Sequence, residues 1–208
     1  MIRIAILLLL AAAALPAHAK QRTVVEPLPV EILANNHVIA VEVIVVNDAQ
    51  EKFDAFEKKA AEKRAEKKLA AFDPAAVLAK RPSEDEYPTL PFAAMFPLVM
   101  EDVTKEWGLT GGRPVKLKVN ISALKTADAA MAILIASSSD ELSGMVNVHD
   151  AATDEKLGSF FIDVENRHGG WGGMLIRGGG IREKLAEEFA LETSRVLTGR
   201  KSKKVKKA

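Results

Sequence analysis

The side chains able to do chemistry in this chain are few. It carries four histidines and no cysteine. Thiol catalysis, cysteine-held metal and a lipidated cysteine are therefore excluded. Histidines 37, 149 and 168 follow neither an H-x-x-x-H nor an H-E-x-x-H spacing, the pattern that sets two ligands on one helix face. His149-Asp150, at a hairpin corner, and His168, near Asp163, could converge in space; ordinary surface histidines fit the same pattern. Ser137-Ser138-Ser139-Asp140 lacks the glycines of a nucleophile elbow and reads as a serine-rich loop. No catalytic residue, metal ligand or cofactor is expected.

The most unusual stretch is Gly169–Gly180, which holds seven of the 13 glycines. Glycine gives backbone freedom at an entropic cost, so such a cluster between ordered elements calls for a reason. Gly178-Gly179-Gly180 directly precedes a helical pattern, with Arg177 and Arg182 on either side. A helix N-terminus attracts anions, so a phosphate cradle is one reading. After Gly173, however, Gly179-Gly180 stand where a P-loop needs Lys-Ser/Thr, and G-x-G-x-x-G is absent. A linker or a flap are the other readings. Trp171, Met174, Leu175 and Ile176 are set among these glycines. Apolar residues in such a loop either fold back on the core or meet a partner. The candidate binding residues are Trp171, Met174, Leu175, Ile176, Arg177, Gly178, Gly179, Gly180 and Arg182.

The first residues, MIRIAILLLLAAAALPAHAK, place Arg3 before an apolar run and end on Ala17-His18-Ala19. That is the pattern of a secretory leader cleaved after Ala19. The apolar run falls short of the roughly 20 residues that span a bilayer. A soluble periplasmic product that is not a lipoprotein is expected. The remainder, 20–199, suits a single domain. Charge is balanced, with 29 Lys and Arg against 28 Asp and Glu, and gives no reason to expect a specific nucleic-acid partner. Residues 200–208 form a basic tail, expected to be disordered. It serves either as a solubilising tail or as a weak contact for anionic lipid or another polyanion.

The elements that position these residues follow from period and punctuation. Gln21–Asn36, with Pro27 and Pro29, reads as an extended lead-in. Val38–Val46 is nearly all apolar and β-branched, which predicts a buried strand. Asp48 and Glu51 open an amphipathic helix to about Ala71, with an alanine-rich stripe that predicts shallow packing. The 48–88 stretch reads as a helical insertion or arm. Asp73-Pro74 starts a short helix. Arg81–Pro88 is a polar loop, and Thr89–Trp107 a helix in which Pro97 predicts a kink or a late start. Val115–Leu124, Leu142–His149 and Leu157–Val164 alternate as strands, the last two as a hairpin. Residues 127–136 fit a helix or a strand. Ile181–Leu197 is a helix closed by Gly199. The expected fold is α+β, a mainly antiparallel sheet with helices on one face, in the order β-α-α-α-β-β-β-α.

From PFAAMFPLVMEDVTKEWGL through KLKVNISAL, SDELSGMVNVHDAATDEKLGSFFIDV and IREKLAEEFALETSRVL, the chain resembles a group of uncharacterised exported bacterial envelope proteins. Their α+β module is similar to YajG, LpoB and the N-terminal domain of TolB. The resemblance covers about Pro91–Leu197 and carries no catalytic motif. It implies a binding or scaffolding role, with another envelope protein as partner. A small-molecule or anion-binding protein, with the glycine-rich segment as its lid, is the alternative.

Overall fold

A computed structural model describes residues 21–46, 50–125, 139–167 and 180–200. The leader, Asp48, residues 126–138, positions 168–179 and the tail from 201 lie outside the described residues. The elements are β1 (Gln21–Glu26), β2 (Asn36–Val45), α1 (Gln50–Glu66), α2 (Pro74–Ala79), a 3-10 helix (Glu84–Thr89) and α3 (Phe92–Glu106). Then come β3 (Arg113–Lys125), β4 (Ser139–Asp150), β5 (Lys156–Arg167) and α4 (Ile181–Thr198). This is the expected α+β order, with one further strand, β1, at its front.

The five strands lie in the order β1-β5-β4-β3-β2. All neighbours are antiparallel except β2 and β3. A parallel pair needs a long crossover, and here α1, α2 and α3 supply it. Alternation then sorts the faces. Val115, Leu117, Val119 and Ile121 of β3, Leu142, Val146 and Val148 of β4, and Phe160, Ile162 and Val164 of β5 are all buried. They meet Phe92, Met95 and Phe96 of α3 and Leu185, Phe189 and Leu197 of α4. Phe96 and Phe189 meet edge to face, ring centres 5.4 Å apart. A fully buried ring of this kind contributes roughly 1.5–3 kcal/mol. The opposite face carries Lys116, Lys118 and Asn120, and no described helix covers it.

Several expectations change. Gln21–Glu26 is not a mere lead-in: it pairs with β5 as an outer strand. Gly158 makes room for it, since a Cβ there would stand 2.9 Å from the Glu26 carbonyl oxygen. β2 is not buried on both faces; it is the other outer strand, with Ile39 and Ile44 exposed. Helix α1 stops at Glu66, where Lys68 turns left-handed. Its packing is not shallow: Phe53, Phe56 and Ala60 are buried, and Phe53 stands edge-on to Phe92 at 4.8 Å. The 81–88 stretch forms the 3-10 helix with Tyr87 buried. Helix α3 begins at Phe92 and runs through Pro97. Pro97 is only the sixth residue, so the N–H it removes lies close to the turn whose donors are unpaired in any helix.

Local expectations that hold have visible causes. The Asp73 side chain accepts from the Ala75 N–H at 2.9 Å, capping α2. Gly199 takes the left-handed conformation after α4. In the β4–β5 turn, Asp150 Oδ1 accepts from the Ala152 and Thr153 N–H groups, both at 2.9 Å.

Candidate functional site

Helix α4 starts at Gly180, with φ +105°. That left-handed geometry suits glycine alone. A Cβ at this position would also fall 2.3 Å from Glu183 Oε2. Gly180 is thus both the last residue of the glycine-rich segment and the N-cap of the helix. Beside it opens a cleft of about 400 Å³, built from three separated stretches of chain. The 3-10 helix gives Glu84, Tyr87 and Pro88; α3 gives Val99, Asp102, Val103 and Glu106; α4 gives Gly180, Glu183, Lys184 and Glu187.

Hydrogen bonds fix the walls of the cleft. The Tyr87 hydroxyl donates to Asp102 Oδ2 at 2.6 Å. Arg81 donates to Asp102 Oδ1 at 2.6 Å, to Glu101 Oε2 at 2.7 Å and to the Leu98 carbonyl at 3.0 Å. Burial, and then the bond to Asp102, push the Tyr87 phenol up to about 12. The hydroxyl stays protonated and committed to that carboxylate. Arg182, 5% exposed, joins the 3-10 helix to α4: its Nη2 donates to the Tyr87 carbonyl at 3.1 Å and to Glu183 Oε1 at 3.0 Å. Its Nη1 is buried without a hydrogen-bond partner.

Five carboxylates and one lysine share the cleft with Val99, Val103 and Pro88. Asp102 and Glu183 are already engaged by Arg81 and Arg182, so the acidity of this lining is partly offset. The two described histidines lie apart from this cleft. His37 Nδ1 lies 3.2 Å from the Gly112 carbonyl, and His149 Nδ1 lies 2.9 Å from that of Asp154. His149 sits opposite Lys156, seven residues along β5 from Asp163, roughly 20 Å at the strand rise. No group of three or more His, Asp or Glu side chains suited to a metal occurs among the described residues.

At the other end of β5, Asp163 lies close to Glu141 and Glu165, and its Oδ1 is buried without a hydrogen-bond partner. Burial, and then those two carboxylates, raise its pKa above the ordinary aspartate range.

Of the candidate binding residues, Trp171, Met174, Leu175, Ile176, Arg177, Gly178 and Gly179 lie outside the described residues. Gly180 and Arg182 are described, and they come together at the start of α4. Gly180 lines the cleft; Arg182 is turned inward as a strut. Glu84, Tyr87, Asp102, Glu106 and Glu187 were not singled out by the sequence. Nothing local marks them, because only the fold joins positions 84–88, 99–106 and 180–187.

No family model matches the chain, and no curated protein does either. Solved structures align with parts of the chain. A PelC dodecamer subunit from Paraburkholderia phytofirmans aligns with 87% of this chain and 100% of its own, at 8% identity and a TM-score of 0.44. A Xanthomonas campestris protein of the DUF330 family aligns over 83% of this chain and 90% of its own, at 9% identity and a TM-score of 0.43. The Neisseria meningitidis lipoprotein GNA1162 aligns over 73% and 98%, at 15% identity and a TM-score of 0.27. At these scores the backbones diverge too far for any role to be carried across.

Proposed function

We propose that this chain is an exported protein of the bacterial cell envelope that acts by binding rather than by catalysis. Its leader is removed after Ala19, and the soluble product works in the periplasm without a lipid anchor. The binding surface is the Gly169–Gly180 segment together with the cleft at its foot, and the partner is another envelope protein. One observation supports this reading above the rest: Gly180, the only glycine-segment residue described, lines the cleft of about 400 Å³, whose lining carries carboxylates beside apolar residues. A glycine-rich sequence that carries Trp171 and Arg177 suits an adaptable contact, since Trp and Arg are enriched among binding hot spots. No described helix is long and apolar enough to cross a membrane. The alternative of an anion ligand finds no support in the carboxylates of this cleft. The basic tail adds weak affinity for anionic lipid.

The test is photo-crosslinking in cells from a reactive residue placed at position 171. A discrete protein adduct, weakened when Glu106→Lys reverses a charge of the cleft, is expected. A leader-bearing chain retained in the cytoplasm, or the absence of any adduct, overturns the proposal.

A further inference from the structure

The two outer strands of the sheet are unequal. β1 is six residues long, is broken by a bulge between Val24 and Glu26, and carries Arg22 and Glu26. A short, bulged, charged edge is poorly suited to pairing with another chain. β2 is ten residues long, contains no proline, and has Glu42 as its only acidic or basic residue besides His37. Its register with β3 is unbroken from Ala40 to Val45. Exposed side chains gather on it: Ile39 is 48% exposed, Ile44 57%, and Val46, one residue beyond, 43%. A long, apolar, regular edge of this kind is a template for strand addition.

The hydrogen-bond phase of that edge is fixed. The Val46 N–H donates to the Ile121 carbonyl at 3.0 Å. In a parallel pair, the backbone groups of successive residues point alternately to the two sides of the strand. Ile44 and Glu42 therefore turn theirs toward β3, and Val41, Val43 and Val45 turn theirs outward. At the start of β2, His37 is already bridged by Thr110 as well as by β3. Among the described residues, the stretch beyond the bulge at Val38/Ala40 has no further strand paired to its outer side.

We propose that two copies of this chain pair antiparallel through β2, about a twofold axis at Val43. In this register Val43 faces Val43 of the second copy, and Val41 faces its Val45. All three pairs have outward N–H and C=O groups, so each exchanges two hydrogen bonds. The half-buried valines 41, 43 and 45 meet on the helix side, and each Ile44 lies across from the aliphatic stem of Glu42 in the other copy. The register one step shorter sets Glu42 against Glu42, which like charges disfavour. A second copy fits better than a foreign strand because this edge satisfies its own complement: every outward residue is a valine, and the single carboxylate avoids its own image. Such isologous pairing closes after two copies and leaves no growing end.

Sedimentation of the purified protein should show a dimer at about 100 µM, where even a roughly micromolar pairing is nearly complete. Val43→Pro removes an outward N–H and leaves the β2–β3 ladder intact, so it should give a folded monomer. Ile44→Glu, which sets a carboxylate across from Glu42 of the other copy, should weaken the dimer as well and serves if the proline variant fails to fold. The chain has no cysteine, so single cysteines report the register. Facing residues of a hydrogen-bonded antiparallel pair stand about 5.5 Å apart, within disulfide reach. Val43→Cys should oxidise to a covalent dimer at least ~10-fold faster than Ile44→Cys, whose image is two residues out of register, or Leu69→Cys off the strand. A monomer at that concentration overturns the proposal. So does a dimer that survives both Val43→Pro and Ile44→Glu while Val43→Cys fails to crosslink.

Discussion

Gly180 shows how one residue fixes the geometry of the cleft. Its φ of +105° is tolerated because no Cβ is present, and Glu183 occupies the space a Cβ would take. Gly180→Ala should cost about 1–3 kcal/mol, the usual range for a forced left-handed residue. Part of this will be relieved by rotation of the Glu183 side chain, so chemical denaturation should find the lower half of that range. Asp163 makes the opposite kind of statement. Its pKa is raised by burial and by Glu141 and Glu165, so the folded state disfavours its charge. A carboxyl with a raised folded pKa adds stability only while protonated, and that contribution is lost as pH rises through the raised value. Asp163→Asn should therefore stabilise the protein at pH 7, and the advantage should fade as pH falls into and below the ordinary aspartate range, near 4. Urea midpoints across that range check it. An advantage that grows in acid would mean the carboxylate is stabilised instead, as Asp150 is by Arg113 at 2.5 Å.

At the scale of elements, α1 is part of the main core. Phe53 is 3% exposed and packs on Phe92, itself in contact with Phe96 at 5.2 Å. Phe53→Ala should cost about 3–5 kcal/mol, comparable to Phe189→Ala, because both leave a cavity among fixed rings. Equal urea titrations of the two variants confirm this; a loss below about 1 kcal/mol for Phe53→Ala would restore α1 to the periphery. The alanine-rich stripe misled because Ala60 allows close approach instead of preventing it. Other elements were legible for physical reasons. β3 reads as a half-covered strand because Val115, Leu117, Val119 and Ile121 alternate with Lys116, Lys118 and Asn120, and the sheet has helices on one face only. β1 was not legible: it is an outer strand, and its neighbours are Pro27 and Pro29. What holds it is remote in sequence. Arg22 lies 3.2 Å from Glu192, which is buried on α4. β2 was legible as a strand but not as an edge, since apolar content reports burial and pairing in the same way. The α4 pattern likewise hid a polar inner stretch, Glu192-Thr193-Ser194, all buried.

The proposed binding surface lies at one end of α4. The cleft, the strut Arg182 and the foot of the glycine segment meet there, while the helix runs away toward Gly199 and the basic tail. The cleft was invisible in the sequence because it joins three stretches, each unremarkable alone. The glycine segment was visible because its composition is extreme. The central claim is that this segment is a surface for binding and not a plug in the core. The urea midpoint of the Trp171→Ala, Arg177→Ala double variant tests it most directly. If the segment is a binding surface, the variant should stay within about 0.5 kcal/mol of the parent, as surface substitutions do. If Trp171 is instead packed in the core, the loss should reach about 3–5 kcal/mol, the cost of truncating a buried ring, and the claim would be contradicted.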